Sequence, residues 1–263
     1  MAELETLAVE ERDGIIHLTL RRPEVHNAFN DQVIAEMIDL FEGPFPRSGA
    51  RAIVLGGTGP NFCAGADLNW MARMIDYSRE ENIRDSSALA KMFALMNESS
   101  LPIVGRIQGA AIGGGVGLVS ICDIAIAEEK STFGLAEVKL GILPAVISPY
   151  VIAKIGEGHA RALFLTGERF GAARAHQIGL VHHIVSGQEE LDRAVDEAIR
   201  QLRSSGPGAV EACKALIRYV ADHELMDAVP YTIEAIAERR VSEEGQGGMK
   251  AFLNKEKPPW DRA

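Results

Sequence analysis

The chain has 263 residues, of which 47% are hydrophobic and 24% are charged, a balance typical of a globular protein with a sizeable core. Its formal net charge of −10 argues against a broad basic surface for nucleic acid. The acidic N-terminus lacks the features of a signal peptide, and the longest apolar stretch (110–122) is too short to cross a bilayer. The cysteines are few and scattered, so we expect reduced thiols in a soluble cytoplasmic protein.

Strands and helices alternate along the first part of the chain. An apolar, β-branched strand over 14–20 is followed by Pro23, and a helical stripe begins at Asn30 or Asp31. Three further buried strands are predicted over 51–57, 103–109 and 123–129. This order is typical of an α/β protein.

From about residue 188 the pattern becomes helical only. Two apolar stripes, over 191–202 and 210–220, are separated by the sequence Gly-Pro-Gly at 206–208. We therefore divide the chain into an α/β core over 1–190 and a helical region over 191–263. Together the stripes supply more apolar surface than one core face needs, which predicts an oligomer.

The sequence "GAAIGGGVGLVS" (109–120) places three consecutive glycines between a strand and an apolar helix. Free N–H groups at such a helix start can bind a phosphate or a polarised carbonyl oxygen. No Walker-type loop is present, and Leu118 breaks the dinucleotide pattern G-x-G-x-x-G. No nucleophile-elbow or zinc-protease motif occurs, and neighbouring His182 and His183 would point to opposite faces of a strand. Metal and nucleophile chemistry are therefore not expected.

A second loop, "GPNFCAGADLNWM" (59–71), also follows a predicted strand and contains glycine. Two strand-end loops that each offer a free N–H are what an oxyanion hole for a carbonyl requires. The two loops together favour a carbonyl oxygen over a phosphate.

Four segments occur in a characteristic order: "RPEVHNAFN", "FCAGADL", "GAAIGGGVGLVSICDIAIA" and "TFGLAEVKLGILPA". They resemble the enoyl-CoA hydratase/isomerase (crotonase) superfamily from about residue 5 to the tail. The resemblance implies a spiral of ββα repeats with a C-terminal helical trimerisation region, and a homotrimer or a homohexamer built as a dimer of trimers. It also implies an acyl-CoA thioester substrate, with coenzyme A as part of the substrate and no separate cofactor or metal.

By motif position, the resemblance assigns the thioester oxygen to the N–H groups of Ala66 and Gly114, and acid–base catalysis to Glu137. Family hydratases carry a first glutamate at the position that is Gly117 here. A single carboxylate suits a 3-enoyl-CoA to 2-enoyl-CoA isomerase, which shuttles one proton. Hydration would need water held by Glu137 and a further group that the sequence does not identify.

The segment "LPAVISPYVIAKIGE" (143–157) and the tail over 242–260 resemble a bacterial subgroup assigned to methylglutaconyl-CoA or isohexenylglutaconyl-CoA hydratases. This favours hydration of a 2-enoyl-CoA, with a branched, methylglutaconyl-like acyl group as a candidate, over isomerisation. Two other classes stay open: a thioester lyase or decarboxylase on the same scaffold, and a non-catalytic acyl-CoA-binding or RNA-binding relative.

The resemblance also implies a set of substrate and CoA contacts. Residues expected beside the adenine–pantetheine path are Val25, Ala28, Leu68 and Asn69, within an acyl-CoA-binding run over 66–69. Within that run, Asp67 is expected to support the loop more than to touch the ligand.

Further candidates are more distant in the sequence. The segment 145–150 is expected to line the acyl pocket, with Tyr150 either as a polar contact or as an aromatic packing residue. Lys255, Lys257 and Trp260 match positions where relatives reach the CoA of a neighbouring subunit. Arg21 and Arg22 are candidates for ion pairs with the CoA phosphates.

Overall fold

The larger of two sheets organises the computed structural model, which describes residues 4–45 and 49–261. Its strands, in spatial order, are β1 (Leu7–Arg12), β2 (Ile15–Leu20), β3 (Ala52–Gly57), β4 (Ile103–Ile107), β6 (Ile124–Glu128) and β9 (His183–Val185). β1 and β2 are antiparallel, and each following pair is parallel. Parallel strands covered on both faces read as continuous apolar runs, which is why β3 and β4 were recognisable from the sequence.

A smaller sheet runs beside the first and consists of β5 (Ala110–Ile112), β7 (Thr132–Gly134) and β8 (Arg169–Gly171). Two isolated bridges continue its pairing, one between Phe29 and Ala66 and one between Cys63 and Ala111. Each strand of the larger sheet from β2 to β6 is thus followed by a short extended segment that pairs with the segment of the next turn. The predicted α/β spiral of ββα repeats is confirmed.

Helices connect and cover these turns. Their bounds are α1 (Asp31–Glu42), α2 (Leu68–Met74), α3 (Arg79–Glu98), α4 (Gly114–Ile121), α5 (Ser148–Thr166), α6 (Ala172–Gln177), α7 (Gly187–Ser204), α8 (Pro207–Ala221), α9 (Leu225–Val241) and α10 (Glu243–Asn254). The start of α1 agrees with the prediction, because the Asn30 side chain accepts a hydrogen bond from Val33 N. None of the helices in the described ranges combines the length and apolar character needed to cross a membrane.

The first of the two predicted C-terminal stripes packs against the larger sheet. Leu191, Val195 and Ile199 of α7 are buried against strand residues of the larger sheet, among them Ile15 and Val54. The stripe over 191–202 therefore covers the sheet of its own chain. The oligomer expected from the two stripes together stays a prediction. The stripe on α8 remains partly exposed, with Ile217 and Val220 open to solvent.

Candidate active site

The spiral brings the three predicted catalytic residues into one place. Ala66, Gly114 and Glu137 each follow an extended segment that pairs with its counterpart in the neighbouring turn. A β-carbon placed on Gly113 would lie 3.0 Å from Glu137 Oε1 and 4.0 Å from the α-carbon of Gly65. Residues far apart in the sequence therefore converge because equivalent points of successive turns are adjacent.

Two backbone N–H groups at this point have no acceptor in the described residues. Phe29 N donates to Gly65 O and Asp67 N donates to Phe29 O, each at 2.7 Å, so the intervening Ala66 N–H points away from that pairing. Gly114 is the first residue of α4, where an N–H has no partner within the helix. Both predicted oxyanion donors are thus free, and one carries the positive end of a helix dipole.

Close packing explains much of the glycine run. Gly113 has a φ of +53°, which residues other than glycine rarely adopt. A β-carbon on Gly114 would lie 2.6 Å from Phe29 Cε2, and one on Gly115 would collide with the Cys63 carbonyl oxygen. The glycines therefore let α4 begin directly against the two preceding turns, in addition to leaving an N–H exposed.

Glu137 lies in a short 3-10 helix (Ala136–Leu140) that follows β7. The residue is half-buried, and its Oε2 is buried with no hydrogen-bond partner among the described residues. Burial raises the pKa of the Glu137 carboxyl above its usual value. A buried carboxylate oxygen without a hydrogen-bond partner is rare for structural reasons alone and is typical of an acid–base group.

The space beside Gly117 is filled with hydrocarbon. A β-carbon on Gly117 would lie 2.5 Å from Ile147 Cγ2 and 2.9 Å from Phe93 Cζ. Tyr150 stacks on Phe93 with 5.7 Å between ring centroids, which supports the aromatic packing role, and its polar contact with the substrate stays a prediction. Ile147 lies in the segment 145–150 that the sequence predicts to line the acyl pocket, whereas sequence reasoning missed Phe93, which no motif marked.

The predicted run over 66–69 divides into exposed and buried residues. Leu68 and Asn69 are exposed at the start of α2, directly beside Ala66, and Val25 is half-buried. Asp67 is not placed for ligand contact, because its side chain is only 4% exposed and pairs with Arg22 at 2.7 Å.

Two other predicted ligand contacts, Ala28 and Arg22, lie near this run and bind each other. Ala28 is buried, and its carbonyl accepts a hydrogen bond from Arg22 Nη1 at 2.6 Å. Both terminal nitrogens of the Arg22 guanidinium therefore donate within the chain, and its pairing with CoA phosphates stays a prediction. Arg21 is exposed, and its guanidinium donates to the Leu4 carbonyl.

The tail residues predicted to contact CoA do not reach this site within their own chain. Trp260 Nε1 donates to the Ser204 carbonyl at 3.0 Å, beside Arg51, which precedes β3. Ala66 and Gly114 instead lie beyond the ends of β3 and β4, at the opposite edge of the sheet. Lys257 is exposed with its Nζ 4.0 Å from Asp261, and Lys255 is exposed at the end of α10. Their role toward a neighbouring subunit stays a prediction.

Comparison with known proteins agrees with this geometry. The sequence model of the family described as Enoyl-CoA hydratase/isomerase matches residues 10–263. The enoyl-CoA hydratase ACTT6 of Alternaria alternata is 32% identical over 80% of this chain and 68% of its own length. The 2,3-dehydroadipyl-CoA hydratase of Escherichia coli is 28% identical over 97% of this chain and 98% of its own.

A solved structure of an enoyl-CoA hydratase from Shewanella pealeana superposes with a TM-score of 0.93 at 39% identity, covering 98% of this chain and 97% of that one. The chain belongs to the enoyl-CoA hydratase/isomerase family. It is an enzyme of that family, and an acyl-CoA thioester is the substrate class consistent with it.

Proposed function

We propose that the protein hydrates a 2-enoyl-CoA, with Glu137 as its only catalytic carboxylate. One observation carries the proposal: the Glu137 carboxyl, whose Oε2 has no hydrogen-bond partner among the described residues, lies against Gly113, next to the free N–H groups of Ala66 and Gly114. A thioester oxygen that accepts from both N–H groups would place the acyl chain beside Glu137. No separate cofactor is needed for this chemistry.

The hydration step can be written with these groups alone. The two N–H groups polarise the thioester carbonyl and stabilise the enolate that forms when water adds. Glu137 removes a proton from water as its oxygen bonds to the β-carbon of the substrate, and then returns that proton to the α-carbon. The sum is addition of one water molecule, with both hydrogens coming from it and both additions on the face of Glu137.

Isomerisation of a 3-enoyl-CoA is the second candidate, and the packing at Gly117 favours it. Because Ile147 and Phe93 fill that space, a second carboxylate cannot share in activating water there. In this reaction Glu137 would remove a proton from the α-carbon and return it to the γ-carbon, through the same enolate.

A panel of crotonyl-CoA, 3-methylglutaconyl-CoA and 3-hexenoyl-CoA separates the two reactions. Hydration removes the enoyl-thioester absorbance of the first two, whereas isomerisation creates it from the third. Glu137→Gln is the control, since an activity of this site should fall by about 10²- to 10⁴-fold in that variant. Release of carbon dioxide instead would support a decarboxylase, and binding without turnover of any ester would support a non-catalytic relative.

The acyl group proposed is branched and methylglutaconyl-like, on the strength of the subgroup resemblance over 143–157. Exposed apolar side chains next to the catalytic residues support an acyl chain in this place. They are Leu68 beside Ala66, and Leu140, Ile142 and Leu143 after Glu137.

We also propose a trimer-based assembly in the cytoplasm. Supporting it, α9 presents an exposed apolar stripe of Met226, Val229, Ile233 and Ile236 at helical spacing. Contiguous exposed apolar surface of this kind is typical of a protein–protein interface.

A further inference from the structure

Arg22 connects three backbone segments next to the proposed oxyanion hole. Its Nη1 donates to the Ala28 carbonyl at 2.6 Å, and its Nη2 lies 2.7 Å from Asp67 Oδ2. The Arg22 side chain is 17% exposed and that of Asp67 is 4% exposed, so the ion pair is largely shielded from water. Partners in such a place are held far more rigidly than those of a surface pair.

Asp67 also binds the first turn of α2, the helix that follows it. Its Oδ1 accepts from the N–H groups of Asn69 at 2.8 Å and Trp70 at 3.3 Å, which makes Asp67 the N-cap of α2. Both carboxylate oxygens are therefore in use. Although burial opposes its ionisation, the hydrogen bonds from Arg22 and the α2 backbone hold the pKa of Asp67 below its usual value.

The direction of the Ala66 N–H depends on contacts that hold the surrounding backbone in place. Its N–H belongs to the peptide that joins Ala66 to Gly65, and Gly65 has a φ of +97°. Glycine tolerates a wide range of backbone angles, so this peptide has little intrinsic preference for one direction. Phe29 N donates to the carbonyl of this peptide, and Phe29 O accepts from Asp67 N. Asp67, the residue after Ala66, is itself held through its side chain by Arg22.

We propose that Arg22 is a positioning residue, which fixes the direction of the Ala66 N–H toward the thioester oxygen through Asp67 and Ala28. The inference rests on the proposed function, because it assumes that the Ala66 N–H is an oxyanion donor. Lysine could not replace Arg22, since one ammonium group cannot serve both partners in the fixed geometry of the guanidinium fork.

A matched control exists on α2, the helix that Asp67 caps. Arg73 of α2 pairs with Asp31 at the start of α1, also at 2.7 Å. Those side chains are 51% and 67% exposed, so water replaces the interaction when it is lost. Arg73→Met thus removes an arginine–aspartate pair of the same length that also involves α2, without disturbing the Ala66 loop.

The test compares Arg22→Met, Arg22→Lys and Arg73→Met with the wild-type protein, using crotonyl-CoA. We expect kcat to fall about 10- to 100-fold in Arg22→Met, with KM changed less than about threefold, as for a misplaced catalytic group. Arg22→Lys should recover only part of the loss, and Arg73→Met should stay within about twofold of wild type. A raised KM with unchanged kcat in Arg22→Met would show a phosphate ligand and overturn the proposal, as would wild-type kcat.

Two further measurements keep the test decisive. Arg22→Met leaves a buried carboxylate unpaired and can fail to fold, so the double variant Arg22→Met/Asp67→Asn removes that charge while asparagine still caps α2. It should show the same loss of kcat, and a folded double variant with wild-type kcat would refute the role of Arg22. The infrared carbonyl stretch of bound crotonyl-CoA reports polarisation without turnover. A wild-type protein that does not lower this frequency contradicts the proposed function itself, whereas a lowering that persists fully in Arg22→Met contradicts only the inference.

Discussion

Ile147 occupies the space into which a side chain at residue 117 would project. A β-carbon on Gly117 would lie 2.5 Å from Ile147 Cγ2, closer than real carbon contacts allow. A glycine at this position leaves space for substrate, for water or for a neighbouring side chain. In the structure, Ile147 and Phe93 occupy that space. A glutamate side chain at residue 117 would therefore collide with them.

Substitution of Gly117 should therefore cost stability. We expect Gly117→Ala to lower the free energy of unfolding by about 1–3 kcal/mol, as overpacking in a dense core does, and Gly117→Glu to lower it further. The combination with Ile147→Ala should recover part of the loss. Urea unfolding measures both, and Gly158→Ala is the matched control because nothing lies within 4 Å of its β-position. A stable Gly117→Glu protein with enhanced hydration would contradict the packing argument.

The Ala66 donor can be removed without changing a functional side chain. Ala66→Pro eliminates the N–H and should lower kcat by about 10²- to 10³-fold, the effect of losing one oxyanion donor. Ala66→Gly keeps the N–H and should retain most activity. Circular dichroism must show that the proline variant is folded, and near-full activity in that variant would mean that the thioester oxygen is held elsewhere.

Local pattern predicted the elements well where both faces of a strand are buried. β3 and β4 appear almost as expected, but the predicted strand over 103–109 ends at Ile107. Gly109, with a φ of +60°, turns the chain into β5, a separate strand in the smaller sheet. β1 was missed because its second half, Glu10 to Arg12, is charged and exposed, and only pairing with β2 makes it a strand.

For the site, motif position found Ala66, Gly114 and Glu137, but not what surrounds them. Phe29, Phe93 and Ile147 are ordinary core residues in the sequence, and only the folded spiral puts them against Gly114 and Gly117. Arg22 and Asp67 are 45 residues apart in the sequence, and no local sequence pattern predicts their pairing. Long-range side-chain partners of this kind are fixed by tertiary packing, which a linear pattern does not encode.

The apolar stripe on α9 predicts the effect of a charge on assembly. Ile233→Lys places an ammonium group within the stripe and should shift the proposed trimer toward monomer, because a buried unpaired charge is strongly unfavourable. Light scattering at micromolar concentration measures the mass. Glu234→Lys, an exposed neighbour outside the stripe, is the control and should leave the mass unchanged. A wild-type protein that is monomeric would overturn the assembly proposal.

His182 should make stability fall in acid. Its Nδ1 accepts a hydrogen bond from Ala125 N, and burial with nearby Lys154 lowers the pKa of His182 to about 4. A base with a lowered folded-state pKa gives stability that is present above pH 6.5 and is lost as pH falls toward 4. His182→Asn keeps an acceptor but does not titrate, so its stability should vary less over this range. Identical pH profiles of the melting temperature would contradict the assignment.

Glu137→Gln tests the catalytic group itself. Because glutamine keeps the shape but cannot take up a proton, we expect turnover to fall by about 10²- to 10⁴-fold with little change in CoA-ester affinity. In the wild type, kcat/KM should decline toward acid with an apparent pKa above 4.5, since burial raises the pKa of Glu137 and the carboxylate is the active base.

The same variant should be more stable than the wild type at neutral pH. A raised folded-state pKa means that folding favours the neutral acid, and this contribution is full below the usual glutamate pKa and lost as pH rises through the raised value. Glutamine stays neutral throughout, so the difference in melting temperature should be larger at pH 7 than at pH 4. Such a gain alongside lost activity is typical of a group kept for function at a cost in stability. A folded Glu137→Gln protein that turns over its best substrate at the wild-type rate would refute the mechanism for hydration and isomerisation alike.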